Sequence, residues 1–111
     1  MTDPRAAAMS VRDLEEAVRA VLDGLRLRWY HARDSRRSPH GFPDLVVTGR
    51  RVLFRELKKQ DGRLTGAQAA WLADLTAAGA DAAVWRPSDL VSGAVARELL
   101  EVAGRGARAA R

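Results

Sequence analysis

The sequence predicts a single α/β domain in which a small mixed sheet is flanked by helices. Three observations predict it. A chain of 111 residues has room for one modest core, and helical and strand-like patterns alternate along it. Two β-rich runs, Leu45–Val47 and Val52–Phe54, surround a short turn that contains glycine, which is typical of a hairpin. The predicted order of elements is α-β-β-β-α-β-α.

The first helix is predicted to begin after Ser10, a residue type that caps helix N-termini, and to end near Gly24. Its apolar residues fall on one face at helical spacing: Val11, Leu14, Val18, Val21, Leu22 and Leu25. Residues 25–31 then alternate between apolar and polar types, which predicts the first strand. The hairpin is expected to occupy residues 45–58.

After the hairpin, Thr65 is a candidate N-cap for a second helix that Gly79 would end. Its inner face is expected to carry Trp71, Leu72 and Leu75. Residues 82–86 are predicted as a fourth strand ended by Pro87, and a last helix is expected from Ser88 to about residue 102. The three tryptophans fall at periodic apolar positions, which favours core packing.

The composition excludes several classes of protein. With no cysteine, the chain has no disulfide framework and no thiolate metal site, and two histidines make a zinc site hard to assemble. No apolar run approaches the length of a membrane span and no signal-peptide core is present, so the protein is expected in the cytoplasm. The domain is expected over residues 10–103, between a flexible N-terminus (1–9) and a basic disordered tail (104–111).

The net charge of the chain favours a phosphate backbone as partner. Nineteen Lys and Arg against fourteen Asp and Glu give a charge of +5 and a pI near 10.9. A basic pI is common among proteins that never contact nucleic acid. The charge is therefore a mild indication.

Two acids and a lysine are the strongest candidates for chemistry. Side chains alternate along a strand, so Glu56 and Lys58 project to one side while Leu57 points away. If the hairpin brings Asp44 alongside, two carboxylates and an ammonium meet at the edge of the sheet. Such a cluster can hold a divalent cation through oxygen ligands and place a positive charge beside an attacking water. The pattern favours phosphodiester hydrolysis, although an acid after proline is also common turn chemistry.

Further motifs surround these residues in a fixed order. They are His31-Ala32-Arg33-Asp34, Ser35-Arg36-Arg37-Ser38, Gly41-Phe42-Pro43-Asp44, Glu56-Leu57-Lys58, Gly62-Arg63-Leu64-Thr65, Gln68, Trp71 and Ala83-Val84-Trp85-Arg86-Pro87. The series resembles the PD-(D/E)XK nuclease superfamily, and within it the short, stand-alone VRR-NUC proteins of phages and actinobacteria. The similarity extends over roughly residues 29–87, more than half of the chain.

The resemblance implies a restriction-endonuclease-like core of order αβββαβ and a metal-dependent DNA endonuclease. Asp44, Glu56 and the backbone carbonyl of Leu57 would hold Mg²⁺ or Mn²⁺. Lys58, rather than the neighbouring Lys59, would orient the attacking water or stabilise charge on the phosphoryl oxygens. Gln68 would contact the phosphate or a metal-bound water; the alternative is an ordinary polar helix residue.

The resemblance also implies an acid on the first helix, where Glu15 and Glu16 compete. Glu15 lies at the edge of the apolar stripe, about one turn from Val11 and Val18, whereas Glu16 points roughly the opposite way. Glu15 is therefore preferred as a further metal ligand. Many relatives resemble one another in carrying this glutamate nearer the position of Val11, and a solvated pair of glutamates is the alternative.

The basic loop before the first acid supplies the predicted DNA contacts. They are Arg33, Arg36 and Arg37, together with Lys59 after the second strand of the hairpin. A solvated basic loop is the plainer interpretation of such a run. His31 is expected to be structural and to close the first strand with a hydrogen bond.

The size of the chain and the resemblance together predict the assembly and the substrate. A protein this small has little surface with which to grip DNA, so a homodimer acting on branched DNA such as a Holliday junction is expected. No small-molecule cofactor and no membrane partner are expected. The alternatives are a non-catalytic basic DNA-binding or regulatory module and a nuclease without branch preference.

Overall fold

Four strands form one mixed sheet in the computed structural model, which describes residues 2–32 and 40–104. The strands are β1 (Arg28–His31), β2 (Leu45–Thr48), β3 (Val52–Leu57) and β4 (Asp81–Trp85). They lie side by side in chain order. β1 and β2 are antiparallel, as are β2 and β3, whereas β4 is parallel to β3. The predicted α/β architecture with a small mixed sheet is confirmed.

Helices precede, connect and follow the strands. Within the described ranges they are α1 (Pro4–Ala8), α2 (Val11–Gly24), α3 (Gly66–Ala77), α4 (Pro87–Val91) and α5 (Ala94–Val102). The predicted cap of α2 is present, since the Asp13 amide donates to Ser10 Oγ at 3.0 Å. None of these helices is long and apolar enough to cross a membrane.

The main core lies between one face of the sheet and helices α2 and α5. Its fully or almost fully buried side chains are Leu14, Val18, Leu22, Leu45, Val47, Leu53, Leu57, Trp85, Val95, Leu99 and Val102. The apolar stripe predicted for the first helix is therefore its core face, although Val11 at its start is exposed. The opposite face of the sheet carries α3, and no α3 side chain is fully buried. The predicted inner residues of this helix are half-buried.

The first strand is shorter than the alternation of residue types predicts. Residues 25–27 instead finish helix α2: the Leu25 amide donates to the Val21 carbonyl and the Leu27 amide to the Leu22 carbonyl, both at 3.0 Å. Arg26 has a left-handed backbone with φ of 57°. The last carbonyls of a helix need donors from the following residues, and this requirement prevails over the strand pattern.

Both ends of the chain also differ from the sequence-based expectation. The N-terminal segment, expected to be flexible, contains helix α1, which Asp3 caps and which packs against α4 with Ala6 fully buried. The single last helix is divided into α4 and α5 at Gly93, whose φ of 88° a side chain would strain. Most of the predicted disordered tail, residues 105–111, lies outside the described residues.

A buried arginine ties the two parallel strands to the last helix. Arg55 on β3 is 1% exposed and lies on the core face. Its Nη2 is 2.9 Å from Asp81 Oδ1 on β4 and 3.0 Å from Glu98 Oε2 on α5, and its guanidinium lies over the Trp85 ring. Two carboxylates thus neutralise one buried cation.

We expect Arg55→Met to lower the free energy of unfolding by about 2–4 kcal/mol, because it leaves two carboxylates facing each other without their shared cation. Chemical denaturation followed by circular dichroism measures the change. Arg12→Met is the matched control, since the Arg12 side chain is 87% exposed and pairs only with Glu16 on its own helix. A stability for Arg55→Met within about 0.5 kcal/mol of the unmodified protein would contradict this account.

Candidate metal and catalytic site

The register of the hairpin brings the two predicted acids together. Leu45 on β2 lies opposite Arg55 on β3, so Asp44 lies opposite Glu56. Asp44 Oδ2 accepts a hydrogen bond from the Leu57 amide at 2.8 Å, which fixes the carboxylate at the end of β3. The Ala32 amide donates to the Asp44 carbonyl at 2.9 Å and extends the pairing of β1 with β2 to this point.

Glu56 is the second acid of this pair and is almost completely buried. It is 3% exposed. Its Oε2 accepts a hydrogen bond from Gln68 Nε2 at 2.9 Å, and Lys58 Nζ lies 3.8 Å from the same oxygen. Its Oε1 is buried without a hydrogen-bond partner. An ionised carboxylate with one unpartnered oxygen is costly to bury unless a positive charge approaches it.

The electrostatics of the two carboxyls reflect burial and mutual repulsion. Burial raises the pKa of Asp44, against the opposing influence of the Leu57 amide and of the His31 and Lys58 charges. Burial and then the Asp44 charge raise the pKa of Glu56 to about 7. Both carboxyls therefore resist ionisation side by side, and a divalent cation between them would remove that resistance.

The donor set at this place fits Mg²⁺ or Mn²⁺. Carboxylate and carbonyl oxygens are the ligands that these hard cations prefer, and Glu56 Oε1 is a buried oxygen still without a partner. Within residues 2–32 and 40–104, no group of three or more His, Asp or Glu side chains is arranged to hold a metal. Asp44 and Glu56 would therefore need the predicted Leu57 carbonyl and oxygens from water or phosphate as further ligands.

Gln68 reaches the site through the cap of helix α3. Its Oε1 accepts from the Thr65 amide at 2.9 Å while its own amide donates to Thr65 Oγ1 at 3.1 Å, which is a capping box. The remaining amide group donates to Glu56. The Thr-x-x-Gln spacing was the sequence signal for this arrangement, which the N-cap alone did not reveal. Gln68 thus orients Glu56, and its predicted contact with a phosphate stays a prediction.

The acids on the first helix point in different directions, as the helical geometry predicts. The Glu15 side chain is 20% exposed, and its Oε1 lies 3.6 Å from His31 Nδ1 and 3.8 Å from Arg19 Nη1. The Glu16 side chain is 63% exposed and pairs with Arg12 on the outer face. The role of Glu15 as a metal ligand stays a prediction.

The predicted DNA contacts are only partly visible. Arg33, Arg36 and Arg37 lie outside the described residues. Lys59 is exposed, and its Nζ lies 3.5 Å from Asp61 Oδ1. The prediction that His31 closes the first strand needs correction: the closing hydrogen bond comes from the Ala32 amide, and His31 Nδ1 is buried without a hydrogen-bond partner.

Sequence reasoning did not find the role of Gly41, which lets the segment before Asp44 approach helix α3. Its φ is 85°, and a Cβ built on it would lie 2.5 Å from the backbone carbonyl carbon of Ala67. Next to it, the Phe42 ring packs edge-on against Trp71, with ring centroids 5.1 Å apart. These contacts hold the first acid of the site beside the helix that carries Gln68.

Arg86 is a second residue whose role the sequence does not reveal. Its Nη1 donates to the carbonyls of Lys59, Gln60 and Gly62 at 2.8, 3.3 and 2.7 Å. It therefore holds the loop that follows Lys58. The residues it joins are more than twenty positions away in the chain, so no local pattern could indicate the contact.

We expect Gly41→Ala to lower the free energy of unfolding by about 2 kcal/mol or more, because the added methyl meets the α3 backbone at a φ that side chains rarely adopt. Thermal and chemical unfolding measure the loss. Gly66→Ala is the control, since nothing lies within 4 Å of the added Cβ and its φ is not positive. Equal stabilities of the two variants would refute the close approach.

The raised pKa of Glu56 makes a prediction for the metal-free protein. The folded state holds a proton on Glu56 up to about pH 7, whereas the unfolded chain releases it near 4.5, so stability falls as pH rises between these values. Glu56→Gln carries no charge and its amide can donate to Asp44. In EDTA, its stability relative to the unmodified protein should rise from pH 5 to pH 8, on the order of 2 kcal/mol.

Chemical denaturation at the two pH values measures this difference. Glu16→Gln is the control, because its side chain is well exposed and should show no such gain. A Glu56→Gln variant with the same pH dependence as the unmodified protein would mean that Glu56 is ionised at no cost in the folded state.

Comparisons with known proteins agree with this fold. The family model described as the VRR-NUC domain matches residues 6–89. A solved structure described as a "VRR_NUC domain protein" superposes with a TM-score of 0.57 at 20% sequence identity, covering 79% of this chain and 88% of that chain. That identity supports the fold alone, and no curated protein matches. The family match covers most of the chain, and the chain therefore belongs to the VRR-NUC domain family, a family of nuclease-type domains.

Proposed function

We propose that this protein is a metal-dependent nuclease that hydrolyses phosphodiester bonds in DNA at the Asp44–Glu56 pair. The observation that carries the proposal is the buried Glu56 carboxylate, which has an unpartnered oxygen beside a second carboxylate. Its burial costs free energy that a purely structural residue would avoid. Membership in a nuclease-type family gives the same assignment independently.

The metal would be held by oxygen atoms from the two adjacent strands. Asp44, Glu56 and the carbonyl of Leu57 are the proposed ligands, and Mg²⁺ or Mn²⁺ suits this set. A bound divalent cation supplies a nucleophilic hydroxide at neutral pH and neutralises charge on the phosphate. The Leu57 amide keeps the Asp44 carboxylate in place from the opposite side, because Asp44 Oδ2 accepts its hydrogen bond.

Lys58 and Gln68 act on the same oxygen of Glu56 and complete the proposed site. Lys58 Nζ lies 3.8 Å from Glu56 Oε2, close enough to orient an attacking water beside the carboxylate or to stabilise charge on the phosphoryl oxygens. Gln68 donates to this oxygen and leaves Oε1 for a cation. The position of Lys58, two residues from Glu56 on the same side of the chain, follows from the alternation of the strand.

We extend the proposal to the substrate and the assembly. The charge of +5 favours DNA, and the basic loop that precedes Asp44 is proposed to contact the phosphates through Arg33, Arg36 and Arg37. Branched DNA and a homodimer are proposed from the similarity to small VRR-NUC proteins and the limited surface of one chain. Tyr30, Val46 and Phe54 support a partner surface, because they form one row across neighbouring strands and Tyr30 is exposed.

The test is cleavage of a four-way junction, a flap and a linear duplex, each with Mg²⁺, with Mn²⁺ and with EDTA. We expect metal-dependent cleavage that falls by about 100-fold or more in Asp44→Asn, Glu56→Gln and Lys58→Met, because each loses a ligand or a positioned charge. Asp74→Asn, an exposed carboxylate on α3, is the matched control and should cut normally.

Three results would separate the alternatives. Cleavage in EDTA, or normal cleavage by purified Glu56→Gln, would overturn the site assignment. DNA binding without cleavage under any metal would indicate a non-catalytic DNA-binding module. Equal rates on all three DNA forms would retain the nuclease and remove its branch preference, and sedimentation of the protein with and without junction DNA would establish whether two copies act together.

A further inference from the structure

The imidazole of His31 occupies a place in the structure that strand packing does not explain. Its side chain is 14% exposed, and Nδ1 is buried without a hydrogen-bond partner. A buried polar nitrogen without a partner destabilises the folded state. The main-chain groups close strand β1 without the ring, through the Ala32 amide and the Asp44 carbonyl.

His31 lies between Glu15 on helix α2 and the first acid of the proposed site. On one side its Nδ1 is 3.6 Å from Glu15 Oε1. On the other, His31 ends β1 opposite Leu45, the residue after Asp44, and its charge contributes to lowering the pKa of Asp44. The ring therefore connects a carboxylate on the helix with the carboxylate at the strand edge.

Glu15 is itself held in place by neighbours on the inner side of α2. Arg19, one turn further along the helix, has its Nη1 3.8 Å from Glu15 Oε1. The Arg19 guanidinium in turn lies over the Trp29 ring, 5.2 Å from its centroid, and Trp29 Nε1 donates to Asp23. The helix and the first strand thus fix the carboxylate at the distance from which it faces the imidazole.

Glu15 does not join the two acids of the site as a third ligand in the described parts of the chain, where no group of three acidic or histidine side chains is arranged to hold a metal. Its route to the site runs through the imidazole. Groups that orient the ligands of a metal change affinity or activity by about 10- to 100-fold when removed.

We propose that Glu15 and His31 form a positioning pair for Asp44, in which Glu15 fixes the imidazole and the imidazole favours the ionised, metal-binding Asp44 carboxylate. The inference rests on the proposed function and deepens it, because it assigns the helix acid a role through His31. Both are positioning residues, and neither needs to touch the metal or the substrate. The pair also explains why a histidine nitrogen is buried beside a carboxylate at the end of the first strand.

The test is Mn²⁺ affinity, measured by calorimetry on the DNA-free protein, in a double-mutant cycle of Glu15→Gln and His31→Phe. We expect each single variant to weaken binding by about tenfold. The double variant should bind as weakly as His31→Phe alone, because Glu15 acts only through the ring. Glu16→Gln is the matched control on the outer face of the same helix and should bind normally.

Two further measurements keep structural damage separate from positioning. Unfolding in EDTA reports whether each variant is folded, and His31→Asn, which keeps a donor near the Nδ1 position, should recover part of the affinity lost in His31→Phe. Nitrogen NMR of the His31 ring should find the proton on Nδ1 in the unmodified protein and less of it there in Glu15→Gln. If His31→Phe does not fold, the isosteric Glu15→Gln must still show both effects.

Independent, multiplying losses in the double variant would overturn the inference and make Glu15 a direct ligand. Unchanged Mn²⁺ affinity in folded His31→Phe, or in Glu15→Gln, would overturn it as well. In either case the unmodified protein still binds metal and cleaves DNA, so the proposed function stands. An unmodified protein that binds no Mn²⁺ and cuts no DNA would overturn the proposed function and this inference together.

Discussion

The register between β2 and β3 is the constraint on which the rest of the structure depends. It sets Asp44 opposite Glu56 and Leu45 opposite Arg55. A slip of one residue would exchange the two faces of a strand, bringing Glu56 into the core and Arg55 to the side of α3. The buried leucines and valines of both strands make that slip costly, since Leu45, Val47 and Leu53 would leave the core together.

Adjacent residues on β3 show two opposite treatments of a buried charge. Arg55 is surrounded by compensating groups: two carboxylates, two backbone carbonyls and an aromatic ring. Glu56 receives an amide and a more distant ammonium, and keeps one oxygen without a partner. The first arrangement stabilises the connection between β3, β4 and α5. The second destabilises the metal-free protein and leaves a place for a cation, which is the usual relation between a reactive site and its scaffold.

The site is held by contacts that come from every side of the sheet edge. Gly41 and Phe42 bring the segment before β2 against α3, and the capping box of α3 aims Gln68 at Glu56. Arg86 holds the loop after Lys58 through three carbonyls. The carboxylates therefore keep their separation without a metal, and little rearrangement would be needed to bind one.

The sequence by itself determined the α/β class, the amphipathic first helix, the hairpin and the identity of the two acids and the lysine. These features depend on local periodicity, caps and turns, so a short stretch of chain contains all the information they need. Glu15 could be separated from Glu16 for the same reason, because neighbouring residues on a helix differ in direction by a known angle. The division of the last helix at Gly93 and the short helix α1 escaped this reasoning, since the burial of Ala6 against α4 stabilises a segment that has little helical signal.

Only the tertiary structure decided what each group faces. That Glu56 Oε1 lacks a partner, that Gln68 turns its amide to Glu56, and that His31 looks towards Glu15 depend on distances between elements far apart in the chain. The same holds for Arg55, which the strand pattern alone would leave as a polar residue in an apolar run. Local patterns determine the direction of a side chain from its own backbone, but its partners are set by how the sheet and helices pack.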